Sequence, residues 1–216
     1  AYTFTGSQTL VGGSPNAFSY TLNENTKEGN YDISVIPGQL TVTNRQAQYQ
    51  VRVEANSSTG NTYDGVEHAA TGLKTSEFTV DGQKYTVEGL NTSDPKAVNA
   101  GEYANTISGT PVVKDANGND VSSQFAVTLV PGKLEIAKRS VTLTSASDSR
   151  VYNGEALTND DVTVGGDGFV ADEGAVYNVT GTITDAGKVA NSFTYERNSN
   201  TNFDNYNISK KEGTLE

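Results

Sequence analysis

Apolar residues in this chain recur at every second position, in short runs broken by glycine, proline, asparagine and aspartate. Tyr31, Ile33 and Val35 alternate with Asp32 and Ser34. Phe125, Val127 and Leu129 repeat the pattern, and Tyr206 and Ile208 begin it a third time. A strand with period two puts each set on one face of a sheet. Val51, Val53 and Ala55, and later Val141, Leu143 and Ser145, mark two further strands of the same kind. Nowhere does helical spacing persist over a window long enough for an ordinary helix. Residues 75–78 and 157–162 each have room for one helical turn, but β-branched residues and glycines crowd both. Short strands between frequent turn signals predict an all-β chain, with a β-grasp-like sheet carrying one short helix as the variant left open.

The alternation is itself repeated. Residues 30–45, NYDISVIPGQLTVTNR, return as 124–139, QFAVTLVPGKLEIAKR, and as 205–216, NYNISKKEGTLE. Each copy has an aromatic, an alternating run, a glycine seven residues past the aromatic (Gly38, Gly132, Gly213) and a second run. Proline presets φ before the first two glycines and glycine tolerates positive φ, so each copy predicts a closing hairpin. Upstream lies a four-residue step from glycine to asparagine: Gly12 to Asn16, Gly101 to Asn105, Gly187 to Asn191. From that first glycine to the hairpin glycine is 26, 31 and 26 residues. The middle copy's extra residues fall around 114–119, KDANGN, a turn-type sequence suited to a hairpin tip.

A third feature occurs twice, Tyr63-Asp64-Gly65 and Tyr152-Asn153-Gly154, 89 residues apart. Residues 1–45 hold no counterpart. The expected organisation is therefore the second half of a truncated repeat (1–45), a complete repeat (46–139), and a third repeat (140–216) whose final strand is cut short. The junctions Val42-Thr43-Asn44-Arg45-Gln46 and Ile136-Ala137-Lys138-Arg139-Ser140 contain neither glycine nor proline. A flexible tether would be richer in Gly and Ser. Stiff joints, an elongated tandem array of small β-domains and a monomeric state are the expectation.

Composition narrows the chemistry. Apolar residues make up 34 % of the chain, which fits small domains with thin cores. The net charge of −11 divides as −1, −3 and −7 over the three segments. With no basic patch, an acidic chain repels phosphate backbones, so nucleic acid is not an expected partner. Cysteine is absent, which removes disulfides, thiolate metal sites and cysteine nucleophiles. Methionine is absent too, and the chain reads as a processed or excised piece. No apolar stretch approaches the roughly 18 residues needed to cross a bilayer as a helix.

Tyr63-Asp64-Gly65 with its following Ala/Thr run, the Ala-Gly-x-x-x-Asn step and the closing Asn-Tyr-x-Ile-x-x-x-x-Gly-x-Leu pattern resemble the MBG and YDG-type tandem repeat domains of bacterial surface proteins. The resemblance covers essentially the whole chain; Tyr152-Asn153-Gly154 departs from the strict form. It implies an extracellular, cell-surface or wall-associated segment of an adhesin-like protein, serving as a stalk. It implies no activity and no shared catalytic residues. Neighbouring repeats of the same polypeptide are the expected partners. A host glycan, matrix protein or mucin contacted by loop Tyr and Asn side chains is the alternative.

No residue pattern predicts catalysis, a cofactor or a resident metal. His68, the single histidine, has no second histidine or Ser–Asp pattern near it. Asp160-Asp161 and Asp172-Glu173 are adjacent pairs whose members point to opposite faces of a strand, whereas glycosidase carboxylates face each other across a cleft. Asp115, Asn117, Asn119 and Asp120 loosely resemble a calcium loop, but Gly118 is displaced and no glutamate closes it, so an Asn-Gly turn is expected. Residues 165–168, GGDG, precede no helix that would aim amides at a phosphate. Asn56, Asn91, Asn178 and Asn207 open Asn-x-Ser/Thr triplets explained by composition. Lys133, Lys138 and Lys210 are the candidate donors for an intramolecular isopeptide bond.

Overall fold

A computed structural model describes residues 1–216. Strands take 51 % of the residues and helical turns 4 %. The only helical segments are three 3-10 turns, Glu28–Asn30, Ser122–Gln124 and Phe203–Asn205. The chain is all-β, and the short helix of a β-grasp is not formed. The two stretches with room for a helical turn lead instead into the strands Glu77–Val80 and Val162–Gly166, where their β-branched residues fit better. No helix is long and apolar enough to cross a membrane. Each 3-10 turn immediately precedes the aromatic of a closing segment, Tyr31, Phe125 or Tyr206, a recurrence the alternation does not reveal.

The Gly-x-x-x-Asn step and the closing segment are two sides of one ladder. Gly12–Asn16 runs antiparallel to Gly38–Val42, Gly101–Asn105 to Gly132–Ala137, and Val189–Asn191 to Gly213–Leu215. The register is the same each time: Asn16 faces Gly38, Asn105 faces Gly132 and Asn191 faces Gly213. The constant spacings are the arithmetic of that register.

The closing segment is not a hairpin. Phe125–Val130 and Gly132–Ala137 are consecutive strands, but the first pairs with Tyr49–Glu54 and the second with Gly101–Asn105 and Ser58–Thr62. In the third copy Tyr206–Lys211 lies parallel to Arg139–Ser145, with Arg139 opposite Tyr206. The glycine is where the chain leaves one sheet for another, and none of Gly38, Gly132 and Gly213 takes a positive φ. It is needed for space. A Cβ on Gly132 would lie 2.2 Å from the Asn56 carbonyl oxygen, and one on Gly213 2.2 Å from that of Ala146. Asn105 Nδ2 donates to the Asn56 oxygen at 3.0 Å and Asn191 Nδ2 to the Ala146 oxygen at 2.9 Å. One carbonyl therefore fixes both signature residues, because it packs on the glycine and accepts from the asparagine opposite.

The first copy departs from this scheme. Residues 31–37 form no strand there, and only Gly38–Val42 pairs. The junctions differ too. Lys138 alone separates Gly132–Ala137 from Arg139–Ser145, so here one strand runs almost directly into the next. Residues 43–48 separate Gly38–Val42 from Tyr49–Glu54, so the first strand does not run directly into the next. The insertion at 114–119 is a hairpin tip, with Lys114 bridged to Asp120 and Gly118 at φ +81°.

The chain folds into two compact units. The first comprises Ala1–Val53, Ser76–Leu90 and Gly109–Leu129. Val51, Val53, Val87 and Val113 are buried in it, and Phe78, Tyr85 and Phe125 form a ring cluster with centroids 4.9–5.6 Å apart. The second comprises Glu54–Thr75, Asn91–Ser108 and Val130–Glu216. One cluster fills it: Tyr63, Ala70, Leu134 and Ile136 from the middle copy pack with Val141, Leu143, Phe193 and Tyr206 from the third.

Candidate functional site: the joint around Tyr63, Glu173 and Tyr206

The recurring tyrosine and the recurring closing aromatic meet inside the second unit. Ser58–Thr62 runs parallel to Gly132–Ala137, and the Tyr63 N–H extends the ladder to the Ala137 carbonyl at 2.9 Å. This turns the Tyr63 ring edge-on to Tyr206, centroid to centroid 5.4 Å. Phe169 closes the other side of Tyr206 at 5.0 Å. The next glycine of the motif, Gly65, takes φ +80° and sits against Val170. An aspartate or asparagine followed by glycine is the sequence such a turn demands.

One carboxylate holds both phenols. Tyr63 Oη donates to Glu173 Oε1 at 2.6 Å, Tyr206 Oη donates to Glu173 Oε2, and the Val170 N–H donates to Tyr206 Oη at 3.1 Å. Burial pushes the Tyr206 phenol well above the ordinary value of 10.0, and its bond to Glu173 pushes it further. Tyr63 is raised for the same two reasons, in the same order. Both phenols hold their protons at neutral pH and donate them to the one carboxylate.

Backbone groups complete the joint. Buried Asn205 accepts from the Ala100 N–H at 2.9 Å and donates to Asn99 Oδ1 at 3.0 Å. The Arg139 guanidinium donates to the Gly168 carbonyl at 2.8 Å and the Asp167 carbonyl at 2.6 Å. The glycine-rich loop 165–168 thus spends its carbonyls on an arginine. Of this set, Tyr63, Asn205 and Tyr206 stood out in the sequence through recurring patterns, and 165–168 as a glycine-rich run. Glu173 figured there merely as half of an adjacent pair, and no local signal ties it to a phenol 110 residues away.

The other sequence candidates lie apart. Asp115 accepts from the N–H groups of Asn117 and Asn119, each at 2.9 Å, and from the Asn119 side chain. Asp120 accepts from the Ser122 N–H at 3.0 Å and its hydroxyl at 2.6 Å. These bonds hold both carboxyls below the usual range, the side-chain donor leading in each case. The carboxylates close the turn, and no three His, Cys, Asp or Glu side chains converge as metal ligands anywhere in the chain. His68 Nε2 lies 3.0 Å from Asp64 Oδ1 within the Tyr63 turn. Asn56 donates from Nδ2 to the Thr71 carbonyl at 2.8 Å, while Asn91, Asn178 and Asn207 are exposed.

The lysines are found in ion pairs or in water. Lys133 lies 2.8 Å from both Glu102 and Glu135, which hold its amine above the usual range and therefore protonated. Lys210 pairs with Glu212 at 2.7 Å and covers the Phe193 ring. Lys138 is exposed in the junction. No family model, curated protein or solved structure matches the chain.

Proposed function

We propose that this chain is a structural spacer: a tandem-repeat stalk segment of an extracellular, bacterial cell-surface adhesin-like protein of the MBG/YDG type, without catalytic activity. The observation that supports it is the continuity of the second unit. Two copies share one hydrophobic cluster across a single connecting residue, and the recurring tyrosine at their joint, Tyr63, is 3 % exposed. A module built to present a ligand site would not need to commit its most distinctive side chain to its neighbour. A spacer must, because it transmits force only where neighbouring copies resist separation. Pulled between its termini in an optical trap, the chain should open its second unit at a clearly lower force once Tyr63 is replaced by alanine. An unchanged opening force would remove the support.

One observation favours a second reading. Tyr152, which occupies in its copy the place of Tyr63, is 65 % exposed beside a depression of about 250 Å³ lined by Arg150, Asn153, Glu155, Asp185 and Lys188. An aromatic face flanked by amide and charged groups suits a sugar. On a glycan array and a mucin column the spacer reading expects no retention. Retention that Tyr152→Ala abolishes would establish the adhesion module instead.

A further inference from the structure

The chain contains two Asn-Gly steps, Asn117-Gly118 in the hairpin tip and Asn153-Gly154 in the recurring tyrosine motif. In an Asn-Gly step the backbone nitrogen can attack the side chain before it, because glycine sets no Cβ beside that nitrogen. All four residues are exposed, so access of water does not separate the two sites. The attacking nitrogen does. At the tip it is already committed: the Gly118 N–H donates to the Asp115 carbonyl at 2.9 Å. Asp115 Oδ1 accepts from the N–H groups of Asn117 and Asn119, each at 2.9 Å, and Lys114 is bridged to Asp120 beneath them. Attack by Gly118 would first have to open this turn.

At Asn153 the Gly154 N–H has no hydrogen-bond partner. The side chain it would attack is held instead. Asn153 Oδ1 accepts from the Glu155 N–H at 3.0 Å, a bond that closes a ring containing both Cγ and the Gly154 nitrogen. Asn153 Nδ2 donates to Glu155 Oε2 at 3.4 Å. A backbone N–H on the amide oxygen draws electrons from Cγ, and it binds more strongly as that oxygen takes up negative charge in a tetrahedral intermediate. Burial of the motif's tyrosine by a neighbouring copy leaves this position open. Asp64, beside buried Tyr63, has its carboxyl 44 % exposed, and the Gly65 N–H likewise has no partner.

We propose that Asn153 is a self-modification site, at which the folded chain deamidates its own Tyr-Asn-Gly to Tyr-Asp-Gly. The Gly154 nitrogen forms a bond to Asn153 Cγ and gives its proton to water. The Cγ–Nδ2 bond breaks, and Nδ2 leaves as ammonia with a proton taken from water. A second water then opens the five-membered imide at one carbonyl or the other, leaving aspartate or isoaspartate. One water is consumed and one ammonia released, with no change of oxidation state. The aspartate product is what the middle copy already carries. Asp64 Oδ1 accepts from the Val66 N–H at 2.9 Å as Asn153 Oδ1 does from the Glu155 N–H, and Gly65 and Gly154 take φ +80° and +82°. The turn therefore accepts aspartate as it stands. Isoaspartate carries the main chain through the side-chain carbons and breaks the turn. The site does not depend on the spacer reading.

The test is to hold the full chain, folded, in mildly alkaline buffer for several weeks and map it by peptide mass spectrometry with isoaspartate-specific labelling. The peptide containing Asn153 should gain about 1 Da, as separate aspartate and isoaspartate forms. It should do so at least about ten times faster than the peptide containing Asn117. In denaturing urea both nitrogens are free, and the two rates should converge. Three outcomes would overturn the proposal: no conversion at Asn153 in the folded chain, conversion at Asn117 as fast or faster, or a difference between the sites that persists in urea. The last would assign the preference to the neighbouring residues in sequence and not to the fold.

Discussion

At the scale of single residues, the Tyr63–Glu173–Tyr206 contact decides how the second unit responds to base. Two phenols donate to one carboxylate, and burial raises both above 10.0. Unfolding returns them to about 10. Between that value and the folded ones, the unfolded chain has released tyrosine protons that the folded chain retains. Stability then falls as pH rises. Below about pH 9 these groups contribute a constant term; above about pH 10 the second unit should weaken progressively. Urea denaturation followed through Tyr absorbance at several pH values would show it. Tyr206→Phe should cost about 1–3 kcal/mol at neutral pH, since Glu173 and the Val170 N–H each lose a partner. It should also flatten the alkaline limb; a limb equally steep in the variant would assign the effect to other groups.

At the scale of elements, the bend at the closing glycine carries the repeat from one sheet to the next. Its requirement is a close approach of backbone, which the matched copies test directly. Gly132→Ala drives a methyl group against the Asn56 and Ala55 carbonyls, neither of which is the movable end of a side chain. It should destabilise the second unit by about 2–4 kcal/mol. Gly38→Ala, the same change at the same place in the first copy, meets nothing within 4 Å and should move stability by no more than about 1 kcal/mol. Equal costs in thermal unfolding would mean that the glycine serves the turn after all. The alternation of 125–129 and 206–208 was legible as strand character, and KDANGN as a tip, because period and turn chemistry are local; the same alternation at 31–35 forms no strand. The hairpin was a misreading for the same reason. Pro-Gly between two alternating runs is a good local turn signal, yet the pairing that forms sets Arg139 against Tyr206 and Leu134 against Ser58, far apart along the chain. Nor can sequence alone say that 31–37 lacks a partner. The joint was half legible: Tyr63, Asn205 and Tyr206 stood out by recurrence, but Glu173 only by where the fold brings it.

At the scale of the whole chain, what recurs in sequence is not what closes a core. The copies were expected each to bury an interior of their own, yet Leu134 and Ile136 of one copy and Val141 and Leu143 of the next belong to a single cluster. Tyr63 shows the same dependence, because residues of the neighbouring copy, Tyr206 among them, belong to the cluster that buries it. A repeat that completes its core with its neighbour couples their stabilities, as stacked units do when each cannot bury its apolar face alone. Leu134→Ala, in the middle copy, and Leu143→Ala, in the third, should therefore lower one and the same calorimetric transition. Both leucines are fully buried, so each should cost about 2–5 kcal/mol. Hydrogen exchange makes the test sharper. Leu134→Ala should accelerate exchange in Arg139–Ser145 and Tyr206–Lys211 as much as in its own strand Gly132–Ala137. Acceleration that stops at residue 139 would show each copy standing on its own core.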